Sequence, residues 1–339
     1  QALDRFGPRR VLLALLSVAV LACMAFALAR TLTGLWLARA LIGVGVSACL
    51  MAPLTAYRHR FGDLAQLRAN SWMLMTGSLG MLASTLPVQW LLPMLGWRGL
   101  FWWVAGLLLI AMVGIVWLVP RDEAAAPSSR RAAPAIPGYG AIFRHPYFVR
   151  LVPLAFVLYG GLLAVQSLWA GPWLTAVAGR SPGQAAQGLF FINLAMLVAF
   201  FAWGMVMPSL RQRGFTVNGL ITLGVPLSLG LLALAVALGP SAGAAMWAAW
   251  CVSCTFVSLS QPAVAQVFPQ ELAGRALSAF NLIIFAGVFC VQWGIGLAID
   301  AFVSRGWAQA DAVRAAFALF GLCAAAAYAW FLLRRGERG

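Results

Sequence analysis

The chain has 339 residues, of which 63% are hydrophobic and only 9% charged, against about 25% charged in soluble domains. So few charges cannot keep a surface of this size wet, which excludes a soluble globular fold and makes lipid the natural solvent. The net charge of +15 rests on 23 basic residues, all arginine, set in short gaps between apolar runs. They form no aromatic-interleaved stripe, which argues against nucleic-acid binding.

A helix needs roughly 20 apolar residues to cross a bilayer. Ten such segments follow one another, at about residues 10–30, 33–57, 69–95, 99–119, 151–173, 184–207, 216–238, 242–266, 276–302 and 312–333. Runs this long and rich in Gly and Ala favour helices over barrel strands, which alternate weakly over about ten residues. The expected fold class is therefore an all-α polytopic membrane protein with ten transmembrane helices. Starting the first span in the cytoplasm and alternating puts 17 arginines inside and 5 outside, with Arg39 left in the membrane. That segregation follows the positive-inside rule and makes both termini cytoplasmic. The stretch from Arg121 to Arg150, rich in Pro, Ala and Ser, reads as a cytoplasmic linker with a short interfacial helix near Tyr139 to Phe143. It divides residues 1–120, with four spans, from residues 151–339, with six. In a protein of two equal bundles, that asymmetry implies two further helices ahead of Gln1.

The opening Asp4-Arg5-Phe6-Gly7-Pro8-Arg9-Arg10 resembles G-x-x-x-D-R-x-G-x-R-R, the loop between the second and third helices of major facilitator superfamily carriers. Arg39-x-x-x-Gly43-x-Gly45 is similar to the family's fourth-helix R-x-x-x-G-x-G, and Gly96-Trp97-Arg98 resembles the turn after its fifth. Phe268-Pro269-Gln270-Glu271 with Gly274-Arg275-Ala276 resembles the loop into the eleventh. A degenerate copy of the signature loop, Gly204 to Gly214 with Pro208 in the acid's place, fits an internal repeat.

The resemblance implies a two-bundle fold in which family helices three to twelve are present, split four and six. It implies secondary active transport of a small organic solute across the bacterial inner membrane by alternating access. It further implies a coupling proton in the full-length form, a monomer and no cofactor. Asp4, Arg5, Gly7, Arg9, Arg10, Glu271 and Arg275 become gating residues, with Asp4 latching against the positive end of the helix that begins near Gly274. The drug/proton antiporter pattern G-P-x-x-G-G is replaced by Gly77-x-x-Gly80 followed by Met81-Leu82-Ala83-Ser84-Thr85-Leu86-Pro87, which speaks against drug export.

Arg39 costs at least about 2.5 to 3.5 kcal/mol within a span and is expected to face a cavity or a partner. It reads either as a cation for an anionic group or as a structural arginine on a neighbour's carbonyls. Tyr159, Gln166, Trp169, Asn193, Ser258, Gln261, Asn281 and Gln292 are membrane-depth polar groups. Singly they read as glue between helices, and as a group they read as solute contacts. The Gly160-Gly161 pair beside Tyr159 is expected to be a flexible, cavity-facing point, and Pro53, Pro87, Pro153, Pro172 and Pro262 are candidate kinks. Trp36, Trp97, Trp102, Trp173 and Trp307 fit an interfacial belt, and Gly43, Gly45, Gly77 and Gly80 fit close packing.

The cysteines read as small hydrophobes. Cys251-x-x-Cys254 has no second pair and no histidine nearby, since His59 and His145 lie in polar loops, so no metal site is expected. No nucleophile and base are paired in sequence, and no acid lies deep in a span, Asp300 standing near a helix end. The expected protein is therefore not an enzyme, and its solute is neutral or mildly anionic. The rival readings are a non-transporting sensor or scaffold on the same fold, or an inactive fragment.

Overall fold

The computed structural model describes residues 7–49, 52–53, 56, 73, 76–119 and 139–334. Every named element among them is helical, and the chain divides into two compact units, Gln1–Ala132 and Ala133–Gly339.

The first unit holds α1 (Pro8–Leu28), α2 (Leu32–Val46) and α3 (Leu86–Leu118), with residues 76–83 also helical. Gly7 stands at the N-cap of α1 with φ 82°, a left-handed value that a side chain would strain. Pro8 then opens the helix, where its missing N–H costs nothing. Thr31 caps α2 by accepting a hydrogen bond from the Gly34 amide at 3.1 Å. α3 bends at Gly96, whose φ of 64° and ψ of 169° interrupt the helix.

α1 packs against both neighbours. At the α1–α2 crossing a side-chain carbon on Gly45 would lie 2.6 Å from the Ala19 Cα, so only hydrogen fits there. α1 and α3 are tied at both ends. Arg9 Nη2 donates to the Val116 carbonyl at the end of α3 (2.8 Å), and Arg98 Nη2 donates to the Ala29 carbonyl just past the end of α1 (3.2 Å). Each guanidinium meets carbonyls that a helix end leaves unpaired, at the negative pole of its dipole.

The second unit holds α4 (Tyr139–Arg144), α5 (Pro146–Val177), α6 (Pro182–Gln212), α7 (Val217–Leu238), α8 (Ala244–Ser258), α9 (Ser260–Val267), α10 (Gln270–Val303) and α11 (Gln309–Leu333). α6 starts on a capping box: the Gln184 amide donates to Ser181 Oγ, and the Ser181 amide donates to Gln184 Oε1. Thr216 caps α7 through the Gly219 amide, as Thr31 caps α2. Phe148, Trp173, Trp247, Trp250, Phe280, Phe317 and Phe331 are fully buried. Trp173, Trp247 and Phe317 meet edge to face with ring centres 5.0 Å apart, setting positive ring edges on negative faces. Arg314 Nε, near the start of α11, donates to the Val236 carbonyl near the end of α7 (3.2 Å). Arg98 makes the same contact from α3 to the end of α1, so the two units repeat one helix-pairing device.

Seven described helices are long and apolar enough to cross a membrane: α1, α3, α5, α6, α7, α10 and α11. Their outward faces are apolar, as on α10, where Leu282, Phe285, Phe289, Trp293 and Leu297 are all exposed. Lipid is the solvent in which such a face is stable.

The expected boundaries shift in two places and hold in a third. The stretch 121–150 is not all linker, because α4 and the start of α5 pack Ile142 and Phe148 fully into the core. The span expected at 242–266 is interrupted at Leu259, between α8 and α9. The boundary expected between 69–95 and 99–119 falls at the non-helical Gly96 within α3, while residues 69–72, 74 and 75 lie outside the described ones. Ten spans are not confirmed as a count. Trp173 does not belong to an interfacial belt, since it is fully buried and donates to the Ala242 carbonyl at 3.0 Å. Trp36, Trp97, Trp102 and Trp307 are exposed.

Candidate solute site

The membrane-depth polar residues converge on α5. This helix contains three wide π turns, Ala155–Tyr159, Val165–Trp169 and Trp173–Val177, each holding one residue more than an α turn. In an unbroken α-helix, positions 159 and 166 differ by about 20° and face one neighbour. Here the wide turns change the register, and the two side chains reach different helices. Such turns are frequent at functional sites.

Three hydrogen-bonded groups result. Tyr159 Oη donates to Gln261 Oε1 on α9 (3.2 Å), and Gln261 Nε2 donates to Asn281 Oδ1 on α10 (3.1 Å). Gln166 Nε2 donates to Asn193 Oδ1 on α6 (2.9 Å), and Asn193 Nδ2 donates to the Leu189 carbonyl (2.9 Å). Gln292 Nε2 of α10 donates to Ser167 Oγ (3.1 Å), while Trp169 Nε1 donates to the Gln292 backbone carbonyl (3.0 Å). All these groups are neutral, and most both donate and accept.

Gln166 and Asn193 are buried and satisfy each other. Tyr159, Gln261, Asn281 and Gln292 are only partly buried. The Asn281 Nδ2 and Gln292 Oε1 atoms have no hydrogen-bond partner among the described residues, so these two groups keep capacity for another molecule.

Other expected members stand apart. Ser258 donates to the Thr255 carbonyl of its own helix and joins no group. Gly160 and Gly161 are not a flexible point. A carbon on Gly160 would lie 2.7 Å from the Gly287 carbonyl carbon, and one on Gly161 would overlap the Phe320 ring. Gly160 marks a close α5–α10 crossing, with Gly287 against the Phe156 carbonyl on the other side, and Gly161 a close approach of α5 to the Phe320 ring of α11. Gly43, Gly77 and Gly80 meet nothing within 4 Å among the described residues. Arg39 is exposed at mid-α2, with no hydrogen bond among the described residues.

Ser167 is a partner that the sequence reading missed; only its position beside Gln166 hints at it. Arg150 is another. It is 5% exposed, donates through Nε to the Phe331 carbonyl (3.0 Å) and stacks on the Phe331 ring at 4.1 Å. The Cys251 and Cys254 thiols are buried and free, and no cluster able to hold a metal occurs among the described residues.

Residues 2–291 match the Major Facilitator Superfamily. The chain belongs to that superfamily. No curated protein matches its sequence. Among solved structures it is similar to a bacterial homolog of the human lysosomal transporter Spinster in an inward-facing, occupied conformation, with TM-score 0.74 and 14% identity over 97% of this chain and 82% of that one. The nucleoside transporter NupG gives 0.72 and 10% over 98% and 85%. A D-xylose-proton symporter gives 0.75 and 13% over 97% and 81%. At these identities the likeness is one of fold, and membership of the superfamily points to a transporter rather than an enzyme.

Of the superfamily's signature loop, Asp4 and Arg5 lie outside the described residues, as does the side chain of Glu271. Gly7 precedes α1, Arg9 ties α1 to α3, Arg10 is exposed on the first turn of α1, and Arg275 is half-buried in the second turn of α10.

Proposed function

We propose that this protein is a secondary active transporter moving a small organic solute across a bacterial inner membrane by alternating access. It works as a monomer with both described ends cytoplasmic, and a proton is the coupling ion. The observation that carries the reading is the neutral array on α5, α9 and α10, where Tyr159, Gln261 and Asn281 form one hydrogen-bonded chain with spare amide capacity. Apolar walls with a few convergent polar groups are the usual form of a small-molecule site. The solved neighbours carry a nucleoside and D-xylose by name, which supports trying such solutes first.

The test is counterflow of labelled D-xylose and uridine in proteoliposomes, with and without an imposed proton gradient. Uptake of either, speeded by the gradient, is expected. Gln261→Leu and Asn281→Ala should each lower it by about tenfold, the worth of one well-placed hydrogen bond. Solute binding without flux would favour a sensor, and variants as active as wild type would remove the array from the site.

A further inference from the structure

A groove of about 520 Å³ lies away from the polar array, between the end of α7 and the start of α11, lined by Val236, Trp307, Asp311, Arg314, Ala315 and Ala318. Its mouth carries one charge of each sign. Arg314 Nε is held by the Val236 carbonyl (3.2 Å) and Nη1 by Asp311 Oδ1 (3.4 Å). The remaining Nη2 has no partner among the described residues, and the two side chains are 35% and 58% exposed.

We propose that this groove holds one phospholipid with a zwitterionic primary-amine headgroup, its phosphate on Arg314 and its ammonium on Asp311. The setting selects a lipid over a free anion. Trp307, half exposed, marks the membrane boundary where amphipathic rings settle. Farther into the span, Leu234, Leu319 and Leu322 are exposed along the same two helices and offer an acyl chain a bed. The charges select the headgroup. The Nη2 of Arg314 keeps two N–H donors for a phosphate, a charge-assisted contact. The Asp311 carboxylate needs N–H donors, which a choline lacks and an ethanolamine has. The pair sums to zero charge, so an anionic headgroup gains no net attraction and meets the carboxylate.

The experiment is native mass spectrometry of the full chain in detergent, titrated separately with phosphatidylethanolamine, phosphatidylcholine and phosphatidylglycerol. The wild type is expected to retain phosphatidylethanolamine about tenfold over the other two, the difference one charge-assisted hydrogen bond makes. Asp311→Asn should abolish that preference. Arg314→Gln should lower retention of every phospholipid. Because Arg314 also ties α11 to α7, Ala318→Trp provides a second test: it keeps both charges, fills the groove and should lose retention at an unchanged unfolding temperature. Equal retention of the three lipids by the wild type, a preference for phosphatidylglycerol, an unaltered preference in Asp311→Asn, or full retention in a folded Ala318→Trp would each overturn the proposal.

Discussion

Single positions in the second unit carry much of its order. Gly287 is crossed by the Phe156 carbonyl and by Gly160, and no side-chain carbon fits there. Gly287→Ala should therefore destabilise by about 1 to 3 kcal/mol, the usual cost of overpacking. Gly43→Ala, with nothing within 4 Å among the described residues, should not lower stability and should gain slightly in helix propensity. Thermal unfolding in detergent separates the two. Arg150 is a buried cation held by a carbonyl and a ring. Arg150→Met should cost about 1.5 to 3 kcal/mol in the same assay, and Arg150→Lys should recover only part of it, because an ammonium lacks the planar face that stacks on Phe331. Neither role was legible beforehand. Arg150 looked like one more positive-inside charge, and Gly287 stood out in no pattern, because what makes them special is a helix many residues away.

At the level of helices, the arginines do two jobs that the sequence shows as one. Arg9 and Arg150 stand where the positive-inside rule expects arginines and Arg98 and Arg314 do not, yet all four end on a carbonyl at or just past the close of another helix. Arg9→Gln and Arg98→Gln should each loosen the α1–α3 pair by about 0.5 to 1.5 kcal/mol. The clamps sit at opposite ends, so the double variant should show the sum. A double variant no worse than either single one would mean the ends are not independent. The apolar lengths of α1, α6, α7, α10 and α11 were readable from hydropathy, and the site's residue types were readable as polar groups in apolar runs. Their pairing was not. The π turns of α5 leave no mark in the sequence, yet they decide that Tyr159 reaches Gln261 while Gln166 reaches Asn193. The break at Leu259 lies just ahead of Pro262, one of the expected kinks, whose missing N–H leaves the Ser258 carbonyl without its helical partner.

For the whole molecule, membership of the superfamily and the outward apolar faces define a multi-pass membrane protein. Cys323 is exposed on α11 beside Leu322, while Cys23, Cys251 and Cys254 are buried. In intact membranes a water-soluble maleimide should leave all four unmodified, by mass spectrometry, until the protein is unfolded in detergent. Rapid labelling of Cys323 would show that this face is wet. The arginine clamps also impose an order in time. Arg150 and its carbonyl partner at Phe331 are separated by 181 positions, so during synthesis this contact forms only once the last helix has been made. The second unit is therefore a fold that closes last-in, and a ribosome stalled before α11 would leave behind a correctly threaded bundle with its latch still open.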